Sequence, residues 1–176
     1  MAKQGKIKNG NNKAKHTKLL NQKKNKIKAA KLQNKQRLKA IMVKKNRQEG
    51  PCPCGSGTTY AVCCNIFHMD IMNVKTAEQL MRSRYTAYVF TDIDYLMKSH
   101  HSSTRPVHEK KEILEWARAV KWERLVVDQV LKGEVNDANG IVAFTAYFKE
   151  NGLQKSMHET SKFIKENNHW VYLGEA

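Results

Sequence analysis

From residue 69 onward, apolar and polar positions follow two rhythms in succession. The first is helical: Leu80, Met81, Arg84, Tyr85, Tyr88 and Val89 recur at spacings that share one helix face. Thr76-Ala77-Glu78-Gln79 opens this helix as a capping box, with Thr at the N-cap and Gln three positions on. Thr91-Asp92 ends it and caps a second short helix through Tyr95 and Met97. Beyond a loop at 102–106, a third helix is predicted over 107–120, with Ile113, Trp116 and Ala117 inward. The rhythm then turns β-rich over 122–131, 141–150, 156–165 and 170–173. Asn139-Gly140 and Asn151-Gly152 read as hairpin turns, and Asn167-Asn168 as the last turn. Helices first and strands later predict an α+β fold, with helices packed on one face of an antiparallel sheet.

Upstream the rhythm breaks down. Residues 1–48 hold 17 of the 32 Lys and Arg residues and no Asp or Glu, so the rest of the chain is close to neutral. With no aromatic side chain and few aliphatics, this segment cannot offset its chain entropy by burial, and disorder is predicted for it when free. Leu20, Ile27, Leu38 and Ile41 lie 7, 11 and 3 residues apart, so its middle can become helical on a partner. The organisation expected is a basic arm over 1–48, a compact module over 49–68 and an α+β domain over 69–176.

Several classes drop out. The longest apolar run, 60–64, is five residues, far short of the roughly 18 needed to span a bilayer. No apolar stretch follows the basic start, as a signal peptide would require. A soluble, cytoplasmic protein is expected.

The module at 49–68 carries the clearest chemistry. All four cysteines lie in Cys52-x-Cys54-x8-Cys63-Cys64, a metal-site pattern and not a spread disulfide framework. A tight loop, Pro51-Cys52-Pro53-Cys54-Gly55-Ser56-Gly57, supplies one pair, and a short helix capped by Thr58 or Thr59 supplies the other. Four thiolates suit one closed, structural Zn2+. Gly55 and Gly57 are expected to turn backbone N–H groups toward sulfur. Two disulfides, an iron–sulfur cluster, or His68 in place of one thiolate remain alternatives.

The run from Cys52 through Tyr60 to Cys63-Cys64 resembles the SEC-C zinc motif known from the tail of the SecA preprotein translocase. The stretch from Thr76 to Val89, with Asp92, Asp94 and Tyr95-Leu96, is similar to the YchJ-like family. So are Glu159-Thr160-Ser161-Lys162-Phe163 and Trp170-Val171-Tyr172. That family joins a SEC-C motif to a nuclear-transport-factor-2-like domain, a cone of helices on a curved antiparallel sheet. The resemblance implies zinc ligands at Cys52, Cys54, Cys63 and Cys64 and a concave pocket, and it leaves out the basic arm. Thr58-Thr59 and Asn65 depart from the motif's usual basic residue and glycine.

Period-two alternation puts Met157, Glu159, Ser161 and Phe163 on one strand face, where Glu159 is expected to pair with Arg84 inside the cone. Arg84, Tyr85, Tyr88, Glu159 and Ser161 are the candidate pocket residues. Such a buried pair sets helix-to-sheet register or serves a ligand. Asp92 and Asp94 read as a cap and a surface charge. Ser99-His100-His101-Ser102-Ser103 puts Ser and His in one loop without an identifiable third member of a triad.

The arm offers cations for phosphates: Lys18, Lys23, Lys24, Lys26, Lys28, Lys31, Lys35, Arg37, Lys39, Lys44, Lys45 and Arg47. Lacking aromatics, it has no stacking platform for single-strand reading. The function expected is a non-catalytic adaptor contacting RNA, the ribosome or a protein partner through the arm and the zinc knuckle. The alternative is a small-molecule binder or a hydrolase- or isomerase-type enzyme using the cone.

Overall fold

The computed structural model describes residues 9–176, with side chains from residue 15 onward apart from Ala40 and Lys44. The chain divides into two units, Met1–Asn46 and Arg47–Ala176.

The first unit departs from expectation. Disorder is predicted over 1–48, yet α1 is one continuous helix, Asn9–Glu49; residues 1–8 lie outside the described residues. The physical reason is local. Lys, Gln, Ala, Leu and Arg all favour helix, and no Gly or Pro interrupts the chain from Asn11 to Glu49. Gly50-Pro51 then stops it, because proline clashes with a helical residue before it. The composition does correctly exclude a packed core here, since Leu19, Leu20, Ile27, Leu32, Leu38 and Ile41 are all exposed.

The second unit opens with the cysteine loop, a 3-10 turn at Tyr60–Val62, α2 (Cys64–Met69) and a second 3-10 turn at Ile71–Asn73. Then come α3 (Ala77–Phe90), α4 (Ile93–Lys98) and α5 (Lys110–Ala119). Four strands complete it: β1 (Lys121–Lys132), β2 (Asn139–Glu150), β3 (Leu153–Glu166) and β4 (His169–Glu175). They pair antiparallel in chain order.

The caps form as their residue types require. Thr76 Oγ1 accepts from Gln79 N at 3.2 Å. Gln79 Oε1 reaches back to Lys75 N, one residue before the cap. Asp92 accepts from Tyr95 N and starts α4. The third helix begins three residues later than expected, because Val107 N and Glu109 N are spent on turn bonds to Arg105 O and Pro106 O.

β2 alternates strictly, burying Gly140, Val142, Phe144, Ala146 and Phe148 on one face. Register shifts in β1 at Trp122/Arg124 and Val127/Gln129 mark bulges, which bend and twist a strand and so curve the sheet. Helices α3 and α4 cover the inner face, and Leu80, Leu96, Phe163 and Trp170 are almost wholly buried between them.

Asn139-Gly140 is not the first hairpin turn. Both residues sit in β2, and the reversal lies upstream, where Lys132 and Gly133 have positive φ. Gly140 serves close approach instead. A Cβ there would stand 2.5 Å from Gly133 Cα, and one on Gly133 would stand 2.6 Å from Ala77 Cβ. Gly133 O accepts from Ala77 N at 2.8 Å, seating the start of α3 on the hairpin. Gly140→Ala should therefore lower stability by about 1–3 kcal/mol in urea unfolding. The other two turns fold as predicted, with Asn151-Gly152 and Asn167-Asn168 all at positive φ.

Candidate metal centre and cone pocket

The cysteine loop is closed by local bonds. Cys52 N donates to Thr58 O at 2.8 Å, Gly55 N donates to Cys52 O, and Gly55 and Gly57 take positive φ. Cys63 follows the 3-10 turn, and Cys64 opens α2. The four Sγ atoms come to lie within 4.8 Å of one another. Cys54 Sγ is 3.6 Å from Cys63 Sγ, which in turn is 4.0 Å from Cys64 Sγ. Tetrahedral zinc with bonds of about 2.3 Å needs sulfurs about 3.8 Å apart. The cluster therefore fits a metal ion, and all four thiols are free of disulfides.

Packing the thiols of Cys52, Cys54 and Cys64 together divides their proton affinities. Hydrogen bonds from Cys54 and Cys64 push Cys52 far down, whereas Cys54, bonded to Cys52, rises to about 11. The Cys52 and Cys54 bonds, with burial, push Cys64 far up. A divalent cation completes such a cluster by displacing protons from the thiols it binds.

The surroundings differ from expectation in one respect. Gly55 N turns to a carbonyl, the backbone N–H groups that reach the Cys52 sulfur are those of Cys54 and Cys64, and hydroxyls stand beside the other sulfurs. Thr86 Oγ1 lies 3.4 Å from Cys64 Sγ and Ser56 Oγ lies 3.2 Å from Cys63 Sγ. Thr59 makes no side-chain cap. Thr86 and Ser83 come from the side of α3 turned away from the sheet, and both are fully buried. Arg82 adds a bond from Nη1 to Cys54 O at 2.8 Å. Sequence reading missed all three because it assigned α3 one buried face, whereas the helix buries two.

His68 stands outside the cluster. Its Nε2 donates to Ser83 O and its Nδ1 accepts from Tyr60 Oη, both at 2.9 Å, so neither ring nitrogen is left for a metal. Burial pushes its pKa down. It pins α2 to α3 as a neutral ring.

The pocket residues also come together, with a change of partners. Arg84, Tyr85, Tyr88, Glu159 and Ser161 all line a cavity of about 260 Å³ in the cone. The expected Arg84–Glu159 ion pair does not form. Arg84 Nη1 donates to Leu96 O at 2.9 Å and to Ser99 Oγ at 2.7 Å. The Tyr172 ring lies 4.6 Å from the guanidinium, and its hydroxyl donates to Glu159 Oε1 at 3.0 Å. A phenol thus stands between the two charges. Tyr172 comes from the last strand, beyond the reach of the helix and strand pattern that linked the pair.

His100 flanks the same cavity. Burial, then the Arg84 and Arg105 charges and His101, push it down to about 4, against a small upward pull from Thr104. The unfolded imidazole takes its proton near 6.5. The unfolded state therefore binds more protons between those values, and this contribution is complete above about 6.5 and lost as the pH falls toward 4. Wild type should lose up to about 3 kcal/mol relative to His100→Gln across that window, measured by urea unfolding. Taking the difference cancels any acid loss of metal common to both.

In the neighbouring loop, His101 Nδ1 lies 2.7 Å from Ser103 Oγ, and His101 Nε2 lies 3.5 Å from Glu166. Glu166 is the third group that the sequence does not reveal. Ser102 also bonds this carboxylate, and Ser103 N donates to the same Nδ1, so the imidazole is held by local turn bonds.

Comparison with known proteins matches these features in order. The family model for the YchJ middle NTF2-like domain covers residues 76–175, and the SEC-C motif covers residues 51–65. The chain belongs to the YchJ family. A UPF0225 protein of Vibrio vulnificus is 44% identical over 124 residues, spanning 69% of this YchJ-family chain and 72% of that protein. Another from Chromobacterium violaceum is 41% identical over 132 residues, spanning 75% and 96%. The solution structure of a SEC-C motif containing protein from Rhodopseudomonas palustris aligns with a TM-score of 0.64 at 30% identity, covering 71% of this chain and 96% of that one. A crystal structure of a SEC-C motif containing protein from Psychrobacter arcticus gives 0.62 at 27%, covering 72% and 82%. Residues 1–50 lie outside both family models.

Proposed function

We propose that this YchJ-family protein holds one structural Zn2+ at Cys52, Cys54, Cys63 and Cys64 and acts as a non-catalytic adaptor, its basic helix engaging RNA phosphates, on the ribosome among other settings. The observation that carries this reading is the surface of α1. Asn9–Glu49 is about 60 Å of helix at about 1.5 Å per residue, with no acidic residue before Glu49. Lys24, Lys28, Lys31, Lys35 and Lys39 are spaced by 4, 3, 4 and 4 residues and are all exposed, so they form one cationic face. Lys18, Lys23, Lys26 and Arg37 are exposed on its other sides. Lys44 is another cation of the arm, and its side chain lies outside the described residues. Arg47 has a different role: its guanidinium lies 4.1 Å over the Phe90 ring, within the second unit.

A helix with cations on every side and its few aliphatics left exposed gains little from packing on a core and suits a polyanion. The knuckle adds exposed Val62, Ile66, Met69 and Met72, a surface for a protein contact. No helix among the described residues is long and apolar enough to cross a membrane. Capture of tagged protein from lysate tests the reading. Ribonuclease should release the co-purifying ribosomal material and deoxyribonuclease should not. Association that survives ribonuclease would contradict RNA as the partner.

A further inference from the structure

The cone cavity, about 260 Å³, lies just below the usual range of small-molecule sites, roughly 300–1,000 Å³, and suits a ligand of one ring. One wall is aromatic. Trp116 and Trp122 meet edge to face with centroids 5.2 Å apart, and Tyr88 packs against both at 5.8–6.0 Å. Two charged side chains, Arg84 and Glu159, face the same space.

Arg84 is only 8% exposed and forms no ion pair among the described residues. Its Nη1 is used twice, whereas Nε and Nη2 have no partner among the described residues. Among the described residues no buried polar side-chain atom is both sealed off and unbonded, so these N–H groups open on the cavity. A buried cation without a counter-charge is costly, and a planar pair of oxygens completes a guanidinium fork. Glu159 is the converse. Oε1 accepts from Ser161 Oγ and Tyr172 Oη, and Oε2 has no partner among the described residues. It offers an acceptor one phenol away from the fork.

We propose that this cavity binds a small molecule with an aromatic or branched apolar body, a carboxylate for Arg84, and an adjacent ammonium or hydroxyl donor for Glu159. An aromatic amino acid and its 2-hydroxy-acid counterpart have this chemistry. The opposite charges of Arg84 and Glu159 match such a ligand better than a plain anion or a plain amine, each of which meets one like charge. His100, held neutral, adds no further charge. The apolar body would rest against Trp116 and Trp122, where aromatic contacts add to simple burial.

Trp116 and Trp122 make intrinsic fluorescence the readout, with full-length protein titrated with four probes. L-Phenylalanine carries both groups with an ammonium, and L-3-phenyllactate carries both with a hydroxyl. 3-Phenylpropanoate lacks the donor, and 2-phenylethylamine lacks the carboxylate. At least one of the first two should bind saturably and about tenfold or more tighter than either single-group analogue, and the tighter of the two identifies the donor. Glu159→Gln should remove most of the donor's advantage and leave 3-phenylpropanoate bound at least as tightly, its like charge being gone, while Arg84→Lys should weaken every carboxylate. If Arg84→Lys fails to fold, the near-isosteric Glu159→Gln still decides. No saturable response to any probe, or equal binding of 3-phenylpropanoate and its donor-bearing relatives, would overturn the proposal.

Discussion

Replacing Cys54 by Ser should empty the metal centre and unfold residues 51–69, while the cone stays folded. The reason is how little else holds the knuckle together. Its own buried cluster is Cys52, Cys54, Tyr60 and Cys64, so three of its four members are proposed ligands. A segment that small cannot pay for its chain entropy by apolar burial alone. Structural zinc contributes about 10–16 kcal/mol in isolated zinc-finger peptides, well beyond what His68, Arg82 and Thr86 supply as anchors to α3. Metal analysis should fall from about one zinc per chain to near none. Hydrogen exchange over 51–69 should rise sharply, with β2 and α3 still protected. A Cys54→Ser protein that keeps its full metal content would remove Cys54 from the ligand set.

The second large effect concerns the cationic face of α1. Changing Lys24, Lys28, Lys31, Lys35 and Lys39 together to Gln should weaken RNA binding strongly and flatten its salt dependence. Each phosphate contact contributes about −0.7 on single strands, or about −0.9 on duplexes, to the slope of log K against log salt, so five lost contacts remove roughly four. A protein making about 6–10 such contacts loses about 10³–10⁵ in affinity from 50 to 200 mM salt. Because α1 is a helix and not a flexible strand, position should matter. The same number of substitutions scattered over Lys18, Lys23, Lys26, Arg37 and Lys45 should cost less. Equal losses from the two sets would mean that the arm binds without a preferred face.

Most of the second unit is legible because its local signals agree with its packing. Thr76 with Gln79, and Asp92 before α4, are caps that need no tertiary help. The alternation of β2 shows its buried face without reference to any neighbour. The misreadings share a cause, a tertiary demand on a residue with a strong local meaning. Gly140 looks like a turn glycine, yet it is needed where β2 meets Gly133 and Ala77. Arg84 and Glu159 lie on the faces that periodicity gives them, but Leu96, Ser99 and Tyr172 intervene from other elements. The spacing of the cysteines is enough to expect a cluster. Thr86 beside it, and Ser83 under His68, are hidden because small polar residues on a helix usually mean solvent. In the arm, composition correctly excludes a core and says less about the backbone, where unbroken helix formers prevail.

The most direct test of the account measures affinity for generic RNA at low and physiological salt. It compares the full chain with one beginning at Asn46, which keeps the Arg47 contact to Phe90. The full chain should bind tightly at low salt and lose most of that affinity at physiological salt. The shortened chain should keep its metal and its fold and bind RNA at neither. Unchanged RNA affinity after removal of the helix, or no binding by the full chain even at low salt, would contradict it.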